Sequence, residues 1–467
     1  MAMVESVGMP RTAAPVPEAA INVVEMSVPP ASVEAEPEKF VPVTRFALID
    51  RLTDVAAWPP GVARDARRFF RFLDYWRQQQ YGAQLLDLEQ MYEPFSPDTD
   101  LLLTRTFSPE ERAHMQARVV DGMRRILEQA NYRRIDPSDV NVILTSESHY
   151  GLDLHVDLGA FDELLVYYRG ASSRKDERRS LRRFMKKEEF DVSIYQRLFL
   201  LFKLKPFEAR VADVMAKEGL GRAEAEKKVR RLRALLPPQV SDSNIYIKLF
   251  KNIPRSDIEM VFPNTAVKFR LMDKIKLGAS AGGSLGMGAV GAAGKIALLA
   301  TNPLAAAGAV AGLGGVAFRQ AVNFMNQKQR YMVVMAKNLY FHSMADNRGV
   351  MLKMASRAAE EDVKEEILLY AVLARAPANR RDLPEIDRAI ENYIRRQFDV
   401  SVNFDIEDAL SRLIADGIVR EDADGTLHTL PPAEAARHID VRWDGFLDQL
   451  PEAVSAEGIE FEGSRPA

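Results

Sequence analysis

The 467-residue chain contains no cysteine, which excludes disulfides, thiolate nucleophiles and cysteine-based metal sites, and gives it no stake in an oxidising compartment. Histidine is sparse. His114, His149, His155, His342, His428 and His438 are scattered, and no HExxH pair occurs. No Gly-rich loop is followed by Lys-Ser or Lys-Thr, and no convincing Ser/His/Asp set stands out. The reading therefore assigns no catalytic, cofactor or metal residues, although carboxylates and tyrosines do chemistry without a readable motif. A strong charge of one sign is also lacking. The net charge of −3 removes any whole-chain electrostatic case for nucleic acid.

What is present is one long apolar stretch, residues 277–318, built from Gly, Ala and aliphatics with a single charge at Lys295. One straight helix over it would reach roughly 60 Å, against a hydrocarbon core about 30 Å thick. The length suits two passes, with Thr301-Asn302-Pro303 offering the turn. Gly278, Gly282 and Gly286 in the first half, and Gly308 and Gly312 in the second, repeat at four-residue spacing. Such small residues let two helix backbones approach closely. A flexible Gly/Ala linker and a hairpin buried in a protein core are the competing readings. Lys268, Arg270, Lys274 and Lys276 precede the stretch, and Arg319, Lys328, Arg330 and Lys337 follow it. Basic flanks mark the cytoplasmic side. The expectation is a bacterial inner-membrane protein with both termini cytoplasmic and the lipid bilayer as a partner.

The expected fold is α+β and membrane-anchored. It comprises a disordered tail (1–45), an α+β domain (46–265), a transmembrane helical hairpin (277–318), a helical connector (319–360), a winged-helix-like domain (361–450) and a disordered acidic tail (451–467). The first tail is rich in Pro, Ala, Val and Glu and lacks the marks of a secretory signal or transit peptide.

From 46 to 130 the period is helical. Arg67, Arg68, Arg71 and Arg77 interleave with Phe69, Phe70, Phe72, Leu73 and Trp76, an amphipathic helix with a basic face. Tyr92-Glu93-Pro94-Phe95 breaks the pattern, and Ser108-Pro109 reads as a helix N-cap with Pro first. The period then falls to two, predicting strands at 140–146, 152–158, 163–168, 194–205 and 244–251. Asp153, His155 and Asp157 share one strand face, either as a metal or acid–base site or as the wet face of an antiparallel strand.

The densest basic run holds Arg174, Lys175, Arg178, Arg179, Arg182, Arg183, Lys186 and Lys187. Helical spacing stacks several on one face, to meet anionic lipid headgroups or phosphates, unless Asp176, Glu177, Glu188 and Glu189 neutralise it as a solvated face.

Leu249-Phe250-Lys251-Asn252-Ile253-Pro254, followed by Asp257, Glu259 and Phe262-Pro263, resembles the transmembrane protein 143-like family. Tyr92-Glu93-Pro94-Phe95-Ser96-Pro97-Asp98, Leu339-Tyr340-Phe341 and Lys364-Glu365 agree with it. That resemblance implies an integral membrane protein whose shared region is a domain of unknown function, and it supplies no catalytic residues.

A helix is expected to continue from 319 to 345, then a turn at Asp346-Asn347-Arg348-Gly349 and a charged helix through 360–366. Helices at 363–374 and 384–397, an extended 400–404, a helix at 406–416 and a hairpin across Ala423-Asp424-Gly425 follow the winged-helix plan. Its last helix carries Asp405, Glu407, Asp408 and Asp416 against Arg412 alone, so a protein partner is expected there and nucleic acid is not.

The functional expectation is a non-enzymatic scaffold or interaction protein. Its alternative is an enzyme or small-molecule sensor with Asp153, His155 and Asp157 on the 140–260 sheet. Self-association through the glycine repeats, into a pore or scaffold, is a third reading.

Overall fold

A computed structural model describes residues 37–98, 105–136, 152–179, 187–234, 236–255, 258, 261–263, 265–269 and 341–449. The chain starts with three helices, α1 (Arg45–Leu52), α2 (Val62–Tyr92) and α3 (Pro109–Gln129). The starts of α1 and α3 have a local cause. Thr44 Oγ1 accepts from Ala47 N at 3.3 Å at the start of α1. At the start of α3, Ser108 Oγ accepts from Glu111 N at 3.2 Å while Glu111 Oε2 accepts from Ser108 N at 2.7 Å. This reciprocal pair satisfies two amides that the first turn leaves open, and Pro109 loses nothing there because its missing N–H would be unpaired anyway.

The main sheet is antiparallel throughout, in the order β1 (Arg133–Ile135), β3 (Phe161–Arg179), β4 (Lys187–Leu204), β5 (Ile245–Pro254), β7 (Ser343–Asp346). A separate pair joins β2 (Leu152–Val156) to β6 (Thr265–Phe269), and α4 (Phe207–Glu218) and α5 (Arg222–Arg233) link β4 to β5. Alternation sorts the sheet into two buried faces. Leu165, Tyr167, Phe199, Leu201, Ile247 and Leu249 pack with α2 and α3. Val166, Leu198, Leu200, Phe202, Tyr246 and Phe250 pack with Ile258, Val261 and Phe262.

The C-terminal part comprises α6 (Asn347–Leu373), β8 (Ala378–Asn379), α7 (Leu383–Phe398), α8 (Ile406–Ala415), β9 (Val419–Glu421), β10 (Thr426–Thr429) and α9 (Pro432–Asp444). Its small antiparallel sheet runs β8-β10-β9, and the β9–β10 turn needs Gly425, at φ +82°, where a Cβ would sit 3.2 Å from Asn379 Oδ1.

Helices α2 and α6 lie side by side in opposite directions and join two cores. Early α2 and late α6 contribute Phe69, Phe70 and Tyr370 to a core shared with α1, α7, α8 and α9. Late α2 and early α6 contribute Tyr81, Leu85, Met351 and Met354 to the core on the main sheet. Residues 361–371 of α6 are buried without a break, so three turns meet protein on every side.

Several expectations are corrected here. Among the described residues no helix is long and apolar enough to cross a membrane, which overturns the membrane-anchored fold and the inner-membrane localisation inferred with it. Helix α2 has the length, 31 residues, but carries Arg64, Arg67, Arg68, Arg71 and Arg77. Helix α6 has 27 residues and carries Glu361, Asp362, Lys364, Glu365 and Glu366 at its middle. Such charges each cost about 2.5–3.5 kcal/mol at a bilayer centre. Residues 277–318, with Gly278, Gly282, Gly286, Gly308 and Gly312, lie outside the described residues, as does the strand expected at 140–146.

The basic run is strand rather than helix where it is described, because β4 pairs with β3 out to Arg179↔Lys187. Residues 343–345, expected as helix, and Asp346, expected in a turn, form β7 against β5, and α6 starts at Asn347 (φ +44°). Part of the expected tail is fixed: Phe40 and Val41 are buried, and Glu38 bridges to Val402.

Beyond Ala171 and Ile194 the β3–β4 hairpin extends as a two-stranded ribbon, and no other described strand pairs with it. Phe69 stands at the centre of the first core, with Tyr370 4.4 Å and Phe70 5.8 Å away between ring centroids. Phe69→Ala should therefore cost about 3–5 kcal/mol in urea unfolding. Leu86→Ala, at a side chain 68% exposed, should stay within about 0.5 kcal/mol.

Candidate functional site

Where α2, α6 and α8 meet, the interior is ionic. Arg77 of α2 donates from Nε to Glu366 Oε1 at 2.9 Å and from Nη2 to Asp416 Oδ2. Arg412 of α8 donates to the same Glu366 Oε1 at 2.9 Å and to Glu365 Oε2 at 2.5 Å, and it lies 3.3 Å from Asp362 Oδ1 and against Asp408. Neutral donors complete the group: Tyr81 Oη to Asp362 Oδ2 at 2.7 Å, Asn131 Nδ2 to Glu365 Oε1 at 2.8 Å and Trp76 Nε1 to Asp416 Oδ1 at 3.2 Å.

One turn earlier on α6, Glu361 forms a second group. Its Oε1 accepts from Arg169 of β3 at 2.6 Å and from Lys364 at 2.8 Å, while its Oε2 accepts from Val41 N at 3.3 Å. Lys364 also donates to Val41 O at 2.6 Å, and the Arg169 guanidinium lies 4.1 Å from the Phe40 ring centroid. This group straps the chain before α1 onto the sheet and α6.

The buried carboxyl groups are Glu361, Asp362, Glu365, Glu366 and Asp416; the bases facing them are Arg77, Arg169, Lys364, Arg412 and, 3.4 Å from Asp416, the less buried Arg442. Acids and bases are equal in number, so a retained proton is favoured by burial and not by an excess of acid. Burial pushes the Glu365 carboxyl up to about 8 and that of Asp362 up to about 7, against the pull of Arg412, and raises Glu366 as well. Burial lowers Lys364. Chemically the cluster can hold and exchange a proton, but its members are enclosed by the packed helices.

Residues 161–349 match the family described as Protein of unknown function (DUF3754). That stretch is a domain of unknown function. The DUF3754 segment runs from the first residue of β3 into the first turn of α6, so it contains Arg169 but none of the buried acids. The narrower transmembrane protein 143-like kinship is not part of that match. No solved structure matches the chain.

The basic run falls inside the DUF3754 segment. Arg174, Lys175, Arg178 and Arg179 stand on β3 and Lys187 opens β4; Arg182, Arg183 and Lys186 lie outside the described residues. The register sets Lys175 opposite Asp191 and Arg178 opposite Glu188. Described ribbon positions 174–179 and 187–191 thus hold as many acidic as basic residues, and only the undescribed turn adds an excess.

Asp153 and His155 lie on β2, paired with Lys268 and Ala266 of β6 rather than on the main sheet. Asp157 follows β2, and its Oδ2 accepts from Arg210 at 2.5 Å. Among the described residues no group of three His, Asp or Glu could hold a metal ion.

The sequence pattern placed Arg77 on a basic helix face and 360–366 in a charged helix leading to the C-terminal part. The signal that marks them as interior is Ile367-Leu368-Leu369-Tyr370-Ala371, an apolar run with no polar stripe to face solvent.

Removing one partner leaves the other buried and unpaired, so Glu366→Ala should cost about 3–5 kcal/mol in chemical unfolding. A carboxyl raised in the folded state stabilises it fully below the ordinary value near 4.5, and that contribution is lost as pH rises through about 7–8. The melting temperature should accordingly fall between pH 5.5 and 8.5, and Glu365→Gln should flatten that fall. An unchanged slope in thermal scans of the variant would rule out Glu365 as the proton holder.

Proposed function

We propose that the chain is a non-enzymatic interaction protein whose C-terminal, winged-helix-like part holds a protein partner. The carrying observation is on and just after α9. Its Ala435, Ala436 and Ile439 are buried, while Val441, Trp443 and Leu447 expose 71%, 44% and 73% of their surface. Large apolar side chains left in water at the end of a packed helix suit a protein contact, with Trp443 the natural anchor.

The last helix before the hairpin, α8, favours the same reading over nucleic acid. Its one base, Arg412, is committed to carboxylates inside the protein, and its exposed residues include Glu407 and Asp408. A helix that offers no free base gains nothing from a phosphate backbone. Leu249–Pro254 carries the narrower kinship with the transmembrane protein 143-like proteins, which we propose as kinship of sequence alone.

A photo-crosslinking residue placed at Val441 of the full chain should give one discrete heavier adduct in cells. The same residue at exposed Lys353 should not, and Trp443→Glu should abolish the Val441 adduct. An adduct of twice the chain's mass would identify the partner as a second copy. No adduct at Val441, or saturable retention of duplex DNA by the full chain, would overturn the reading.

A further inference from the structure

Helices α2 and α9 pack on each other, and the sides they leave uncovered carry opposite charge. In α2 the residues turned to the core are Phe69, Phe70, Leu73 and Trp76. Arg64, Arg68, Arg71 and Tyr75, at spacings of four, three and four, therefore form its outer stripe, and all four are exposed. Arg67 is committed to Asp50 at 3.1 Å. Arg64, Arg68 and Arg71 make no ion pair or hydrogen bond among the described residues, although the Arg68 guanidinium lies 5.0 Å from the Phe72 ring centroid. Phe46 of α1, also exposed, lines one cleft with Arg71 and Tyr75.

The stripe on α9 is acidic. Its buried Ala435, Ala436 and Ile439 leave Asp440, Asp444 and, just past the helix, Asp448 exposed beside Val441, Trp443 and Leu447. None of these three aspartates makes an ion pair or hydrogen bond among the described residues. The base between them is turned inward: Arg442 lies 3.4 Å from Asp416 Oδ1, donates to Ala415 O at 3.2 Å and sits 5.1 Å from the Trp76 ring centroid. Arg437 is the exposed base on this stripe, one turn earlier. The two stripes meet at Trp76, whose ring is 5.5 Å from that of Phe446 between centroids. Tyr75 and Leu447 are each next in sequence to a member of that pair.

We propose that the two stripes are halves of one self-complementary surface, and that a second copy of this chain covers it. In a two-fold pair the α9 stripe of one copy lies on the α2 stripe of the other, and symmetry makes the same contact twice. Three uncommitted arginines then face three uncommitted aspartates, and Val441, Trp443 and Leu447 meet Phe46 and Tyr75. The match between two faces of the same chain is what selects a second copy over a foreign partner. Five of the ten large apolar side chains exposed among the described residues lie on these two stripes, so the patch is apolar as well as charged. The inference rests on the reading of the α9 end as a protein contact, and it names the partner.

Sedimentation equilibrium of the purified full chain tests this. The expected result is a dimer that weakens as salt rises from about 0.1 M to 1 M, because contacts between exposed charges are screened. Asp440→Arg with Asp444→Arg, and separately Arg68→Glu with Arg71→Glu, should each weaken the dimer at least tenfold, with folding checked by circular dichroism. Mixing the two double variants should restore it. The reversed α9 stripe of one then meets the reversed α2 stripe of the other, and their two native stripes meet likewise. A full chain that is monomeric at about 100 μM, a dimer indifferent to both reversals, or a mixture no tighter than its components would overturn the proposal. The photo-crosslinker at Val441 distinguishes the two levels. A monomeric chain that gives an adduct of foreign mass removes the second copy and keeps the protein contact, whereas no adduct removes both.

Discussion

The structure depends on one requirement: charges taken out of water must find partners. Glu366 is at the centre of it. A single carboxylate oxygen accepts from Arg77 on one helix and Arg412 on another, so α2, α6 and α8 can approach only in the arrangement that serves both. Apolar contacts tolerate sliding, whereas a bidentate guanidinium–carboxylate pair does not. Net stabilisation from such a group is small, because desolvation offsets most of the attraction. Its effect is on which packing is allowed.

That restriction matters because α6 belongs to two cores. Its first half packs on the sheet with Met351 and Met354, and its second half packs with α1, α7 and α9 through Ile367, Leu369 and Tyr370. The acids lie between these halves. Glu361 holds the segment before α1 and Arg169 of β3, while Glu365 and Glu366 hold α8. Sheet and C-terminal helices are thereby referred to a common axis, and a surface such as the end of α9 is presented from a fixed base.

Local signals were the legible ones. Ser108-Pro109-Glu110-Glu111 specifies its own helix start, and the elements from 383 to 430 follow from periodicity and turn residues because each is short and bounded by its own breakers. The losses share one cause. Arg174 to Arg179 have helical charge spacing, yet their conformation is decided by a partner strand beginning at Lys187. Glu361 to Glu366 read only as a charged stretch of helix, and it is the packing of other elements that takes them out of water. Phe40 and Val41 sit in a Pro- and Glu-rich stretch that composition assigns to a tail; Lys364 and Glu361, far along the chain, fix Val41, and Arg169 covers the Phe40 ring.

The ribbon formed by the outer parts of β3 and β4 leaves two sheet edges open among the described residues. An open edge is a template for any extended chain of matching register, including the same ribbon of another copy. Here each edge is written in residues such as Arg174, Lys175, Asp176, Glu177, Glu188 and Glu189, so an incoming strand must bring its own charges into alignment to add to it. The composition that looked like a binding face can equally be read as protection against indiscriminate strand addition, and the ribbon can stay long without becoming a seed for aggregation.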